Sequence, residues 1–289
     1  MTTGGAEHGS GPTARRMVLG SQLRRLREAA GISRSAAGYS IRSSESKISR
    51  LELGRVGFKE RDVNDLLTMY GIEDGVDRAQ FMELVSQSNQ PGWWHRYTDL
   101  MPNWFHDYVG LEEAAGRIQT FELQVVPGLL QIEEYARAIV SHGNSRVFDE
   151  EVDRRVSLRM RRQKLLSGPD APRFWAVVDQ SVLHREVGGP AVLKKQIAHL
   201  LEVTASPHIT LQVLPYTSSG CAAESPFTML RFAETELPDI VYVEHLGGAL
   251  YLDNKKDQEL YGRALDRLAV DAETPDRSRQ LLSKLYNEV

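Results

Sequence analysis

Between residues 19 and 71 apolar side chains recur at helical spacing, and a glycine stops three of the runs after a few turns. Leu19, Leu23, Leu26 and Ala30 form the first stripe, closed by Gly31. Ser33 stands where a side-chain oxygen caps a second helix carrying Ala36, Ala37 and Ile41. Ser43 or Ser44 caps a third, with Ile48 and Leu51 inward and Gly54 as its stop. Val63, Leu66, Leu67 and Tyr70 make a fourth stripe ended by Gly71; Phe81, Leu84 and Val85 make a fifth near 77–87. Helices this short are marginal alone in water. Five of them joined by tight turns must therefore share one core, and the spacing predicts a small all-helical domain.

Charge is concentrated in the same window. From Thr13 to Arg61 there are twelve Lys/Arg against four Glu, a surplus of eight. The rest of the chain holds 23 basic and 35 acidic residues, a deficit of twelve, and the two together return the net −4. A basic segment on an acidic protein is the footprint expected of phosphate-backbone binding.

The remaining residues read differently. Met1 to Thr13 is Gly/Ser-rich and polar and is expected to be a disordered tail, with 1–12 as its bounds. Pro91-Gly92 punctuates the chain, and residues 93–108 then hold six aromatics: Trp93, Trp94, Tyr97, Trp104, Phe105 and Tyr108. Helical periodicity resumes at about 110–122, again after Pro127-Gly128, and in a long basic helix over 149–167, where Arg154, Arg155, Arg159, Arg161, Arg162 and Lys164 read as a solvated face with Val156 and Leu165 inward. Strand patterns appear only beyond it, at 174–179, 209–214, 226–232, 240–244 and 248–252, with a closing helix or two over 254–288. The fold class expected is mainly α with an α+β C-terminal part: a five-helix helix-turn-helix domain over 13–88, then a larger α+β domain with a small sheet over 89–289.

Residues 33–53 place two helices around a tight turn, the second with a polar, donor-rich start and an apolar inner face, as major-groove docking requires. Leu23, Leu26, Arg27 and Glu28, Gly31-Ile32-Ser33 and the run Ser46-Lys47-Ile48-Ser49-Arg50-Leu51-Glu52-Leu53-Gly54-Arg55 resemble the Xre-type, phage-repressor-like helix-turn-helix family over about 18–71. That resemblance implies base contacts from Ser44, Glu45, Ser46 and Arg50. It implies phosphate or groove-edge contacts from Ser33, Arg34, Lys47 and Arg55, and a structural ion pair between Arg27 and Glu52. Three departures stand out. Arg42 occupies the usual turn-glycine position, so a differently shaped turn is expected there. Leu53 stands where a polar residue often meets the backbone. Val56-Gly57-Phe58 replaces a basic, proline-containing loop.

Further strings resemble the antitoxin-like domain that follows such a helix-turn-helix in actinobacterial regulators: Gly92-Trp93-Trp94, Tyr108-Val109-Gly110-Leu111-Glu112, Val126-Pro127-Gly128-Leu129-Leu130-Gln131 and Val241-Tyr242-Val243-Glu244-His245. The resemblance implies a regulator and supplies no catalytic residue. Trp93, Trp104 and Tyr108 are the candidates for a ligand or partner pocket, against interdomain or core packing.

No zincin, zinc-knuckle, phosphate-loop or nucleophile-elbow pattern occurs, so no enzyme activity, metal or cofactor is expected. Cys221 with Glu244 and His245 is the least implausible catalytic set, and an ordinary thiol is the plainer reading. One cysteine excludes an internal disulfide, and no stretch is apolar enough to span a membrane. The function expected is a cytoplasmic, nucleoid-associated regulator that binds double-stranded DNA as a homodimer, with a small-molecule effector or small partner protein acting through the C-terminal domain. The alternative is an antitoxin-like protein that mainly holds a small partner, with weak or autoregulatory DNA binding.

Overall fold

The computed structural model describes residues 11–73, 75–143, 148–218, 223–233 and 237–289. The chain divides into two units, one of Met1–Arg96 with His106–Ala114 and Phe232–Leu237, the other of Tyr97–Phe105, Ala115–Arg231 and Pro238–Val289.

The first unit opens with five helices: α1 (Pro12–Ala29), α2 (Arg34–Ser40), α3 (Glu45–Glu52), α4 (Glu60–Met69) and α5 (Gly75–Ser88). Pro12 already begins α1; the rest of the expected tail, up to residue 10, lies outside the described residues. Leu19, Leu23, Ile48, Leu51, Val63, Leu66, Leu67 and Val85 bury in one core, with Leu26, Phe81 and Leu84 packed half-buried against it. Gly31, Gly54 and Gly71 follow α1, α3 and α4 with left-handed φ.

The second unit is α+β around a six-stranded mixed sheet of order β3-β2-β1-β4-β5-β6. The strands are β1 (Arg117–Glu122), β2 (Arg173–Asp179), β3 (Ile209–Leu214), β4 (Phe227–Arg231), β5 (Ile240–His245) and β6 (Gly248–Leu252). β1, β2 and β3 run parallel, while β4, β5 and β6 continue antiparallel from β1. The helices that accompany it are α6 (Asn103–Ala114), α7 (Glu133–Gly143), α8 (Asp149–Gln163), α9 (Pro190–Val203), α10 (Lys255–Asp271) and α11 (Pro275–Glu288), α6 being divided between the two units. One sheet face, with Phe121, Val177, Phe227 and Val241, packs on Leu265 and Leu268 of α10.

Two expectations are corrected. Residues 110–122 are not one helix: α6 ends at Ala114 and β1 follows as a central strand. Its inner four residues are buried whichever face they point to, so no polar alternation marks it as a strand. The basic helix is α8, and it is not a uniformly solvated face: Arg162 is buried, while Arg159 keeps only partial exposure. Leu158, Arg162 and Leu166 succeed one another at four-residue steps, which places the guanidinium of Arg162 on the inward side.

Candidate nucleic-acid interface

α2 and α3 owe their starts to serines. The Ser33 Oγ accepts from the Ala36 N–H at 3.1 Å, and the Ser44 Oγ accepts from the Lys47 N–H at 3.2 Å, so Ser44 rather than Ser43 caps α3. Each cap satisfies an N–H that the first helical turn leaves without an intrahelical partner. Ile48 and Leu51 then seat α3 in the core, while Ser44, Glu45, Ser46 and Arg50 are exposed. The α1–α3 packing requires glycine. A Cβ at Gly20 would come 2.4 Å from the Leu51 carbonyl oxygen, and one at Gly54 would sit 2.6 Å from the Met17 nitrogen.

The turn between α2 and α3 contains Arg42. Arg42 holds φ +54°, the left-handed conformation that glycine adopts at no steric cost. The arginine bears the strain of that conformation, and its side chain is exposed.

Two basic residues assigned to DNA by resemblance, Arg34 and Lys47, are engaged within the protein. Glu52, only 5% exposed, joins α1, α2 and α3. Its Oε1 accepts from Arg27 Nε at 2.5 Å, while its Oε2 accepts from Arg27 Nη2 at 3.1 Å and from Arg34 Nε at 2.9 Å. The Glu52 hydrogen bond holds the Arg27 guanidinium above its ordinary pKa, against the effect of burial. Lys47 Nζ donates at 2.8 Å to the buried carboxylate of Asp62 on α4. Lys47 and Arg34 thus fasten helices together, while Arg55 lies half-buried after Gly54.

Two residues that sequence reasoning passed over flank the exposed tip. Tyr39, near the end of α2, is 87% exposed, and Arg42 stands three residues on. The signal for Tyr39 was its phase: Ala37 and Ile41 take the inward positions and leave Tyr39 outward.

The three pocket candidates are not alike. Trp93 and Tyr108 belong to the first unit and Trp104 to the second. Trp93 Nε1 donates to Glu113 at 3.1 Å, and its ring meets Trp94 edge-on at 5.8 Å; Tyr108 is buried. An open groove of about 860 Å³ in the second unit is lined instead by Val125, Ile139, His142 and Arg185 among others. Cys221 lies outside the described residues, and Glu244 accepts a hydrogen bond from the Tyr242 hydroxyl at 2.8 Å. Among the described residues no group of three His, Cys, Asp or Glu is placed to hold a metal ion, and no helix is long and apolar enough to cross a membrane.

A family model described as a helix-turn-helix domain matches residues 18–81, and one described as a domain of unknown function, DUF5753, matches residues 105–284, more than half of the chain. Comparison with curated proteins gives no match, and comparison with solved structures gives none. The five-helix part of the first unit is thus a DNA-binding helix-turn-helix domain.

Proposed function

From the premise that this chain belongs to the DUF5753 family and carries a helix-turn-helix domain ahead of that region, we propose that it is a sequence-specific transcription regulator of the Xre type. α3 enters the major groove by its N-terminal end. The observation that carries this is the exposure of Ser44, Glu45, Ser46 and Arg50 on a capped helix whose other side is fixed in a core. Ser46 and Arg50 read base edges, as hydroxyl and guanidinium donors do there. Tyr39, Arg42 and Ser33 border the groove, and the surplus of eight positive charges over Thr13–Arg61 supplies the salt-dependent attraction to phosphate. Lys47, Arg34 and Arg27 act chiefly by holding the frame.

The protein works in the cytoplasm on the nucleoid as a homodimer, which gives two half-sites about one helical turn apart. The second unit, antitoxin-like in kind, biases the DNA-competent state through an effector or a small partner protein, a coupling of about 1–3 kcal/mol.

Genomic footprinting with the intact chain and with Ser46→Ala plus Arg50→Ala tests this. Lys47 is a poor probe, since its removal leaves Asp62 buried without its lysine. The double variant is expected to keep its melting temperature and lose its specific sites. Unchanged occupancy would remove α3 as the recognition helix.

A further inference from the structure

The sheet face away from α10 carries an uncommon row. Thr120, Thr228, Tyr242 and Tyr251 stand in register across β1, β4, β5 and β6, so four hydroxyl residues cross the face side by side. The two threonine oxygens are 3.0 Å apart, and the tyrosine rings are 5.2 Å apart. Two positions further along their strands, on this same face, come Glu122 and Glu244.

Contacts then run round from this row to α8 and back. Tyr242 donates to Glu244, whose charge acts on Arg159 and on Glu122. Arg159 lies one turn before Arg162, and the Arg162 guanidinium sits over the Phe105 ring at 4.9 Å. Beside Phe105, the Trp104 carbonyl accepts from the Tyr251 hydroxyl, which closes the ring.

Three features mark this as a binding recess rather than a sealed core. Glu122, Arg159, Trp104 and Tyr251 keep partial solvent exposure. Yet enough protein surrounds the first two that burial raises the Glu122 carboxyl to about 8 and lowers Arg159 to about 10. Second, the Trp104 Nε1–H is buried and has no acceptor among the described residues, an arrangement that native proteins rarely leave unused. Third, Arg159 and Glu122 feel each other's charge but form no ion pair; the hydrogen bond shown for the Arg159 fork is the one from Nη1 to Gln131 Oε1 at 2.8 Å. A separated guanidinium and carboxylate, beside aromatic walls, match a ligand carrying both opposite charges and a ring.

We propose that this recess binds a small aromatic zwitterion of the α-amino-acid kind, its carboxylate on Arg159, its amine between Glu122 and Glu244, and its ring against Trp104 and Tyr251. The proposal rests on the reading of the second unit as the effector-binding part. Calorimetry without DNA tests it separately, so its failure leaves α3 as the recognition helix.

Phenylalanine, 3-phenylpropionate and phenethylamine share a ring and differ in their charged ends. The full-length chain is expected to bind phenylalanine at least about tenfold more tightly than either of the others, as loss of a charge-assisted hydrogen bond implies. Arg159→Lys keeps the charge without the fork and weakens phenylalanine by about tenfold. Glu122→Gln abolishes the preference for phenylalanine over 3-phenylpropionate. Affinity of the unaltered chain for phenylalanine rises from pH 6 to pH 8, since the amine favours the ionised Glu122; Glu244 and Arg159 are the charges that face this carboxyl, and the rise is absent in Glu122→Gln. Equal affinity for the three compounds, or no heat and no melting shift with millimolar phenylalanine, tyrosine or tryptophan, would overturn the proposal.

Discussion

Helices α3 and α8 are both amphipathic and both carry arginines, and they turn those arginines in different directions. In α3 the arginine between the apolar positions, Arg50, is exposed, while Ile48 and Leu51 are buried. In α8 the inward side itself contains arginines, Arg162 in line with Leu158 and Arg159 one turn before it. The number of charges is a poor guide to where a helix puts them; their phase against the apolar residues decides it. Outward charge suits a surface that docks on a polyanion, whereas inward charge has to be met by something inside the unit. Glu52 meets Arg27 and Arg34 in the first unit, but Glu122 only approaches Arg159 in the second.

The contrast breaks most sharply at Glu52. Glu52→Ala strips the buried Arg27 of its carboxylate and should cost about 3–5 kcal/mol, since a buried charge left uncompensated is among the most destabilising changes. Urea unfolding measures it, and a loss under 1 kcal/mol would mean that the three-helix junction holds without its anion. The opposite sign is expected at Glu122. Its carboxyl is raised in the folded chain to about 8, so its share of the stability is intact below the ordinary glutamate range and is lost as pH climbs through 8. Glu122→Gln should accordingly stabilise the chain by about 1–3 kcal/mol at pH 8 and by nothing measurable at pH 4. A gain independent of pH would dissociate it from this titration. The smallest effect is at the turn: Arg42→Gly relieves the left-handed arginine and should gain about 1 kcal/mol, or a few degrees in Tm. If Arg42→Gly instead destabilises, the arginine side chain contributes more to the fold than its backbone strain costs.

The first unit was readable because its signals are local. Ser33 and Ser44 cap within three residues, the glycine stops sit two residues past their helices, and the apolar spacing repeats inside each helix. The second unit was less so. β1 is central and buried, and its partners arrive more than fifty residues later, so its sequence resembles a continuation of α6. The hydroxyl row draws one residue from each of four strands and has no sequence spacing of its own. At the candidate interface, resemblance located α3 but not the internal engagement of Lys47 and Arg34. Asp62 lies fifteen residues beyond Lys47 and Glu52 eighteen beyond Arg34, and only packing brings them together.

On this reading the exposed tip of α3 discriminates between DNA sequences. This is tested most directly by the ratio of affinities for a footprinted site and for a scrambled duplex of equal length, measured at one fixed salt concentration with the intact chain and with Arg50→Ala. That ratio is expected to fall by about tenfold or more in Arg50→Ala, with binding to the scrambled duplex nearly unchanged. An undiminished ratio, or an equal loss on both duplexes, would contradict that reading.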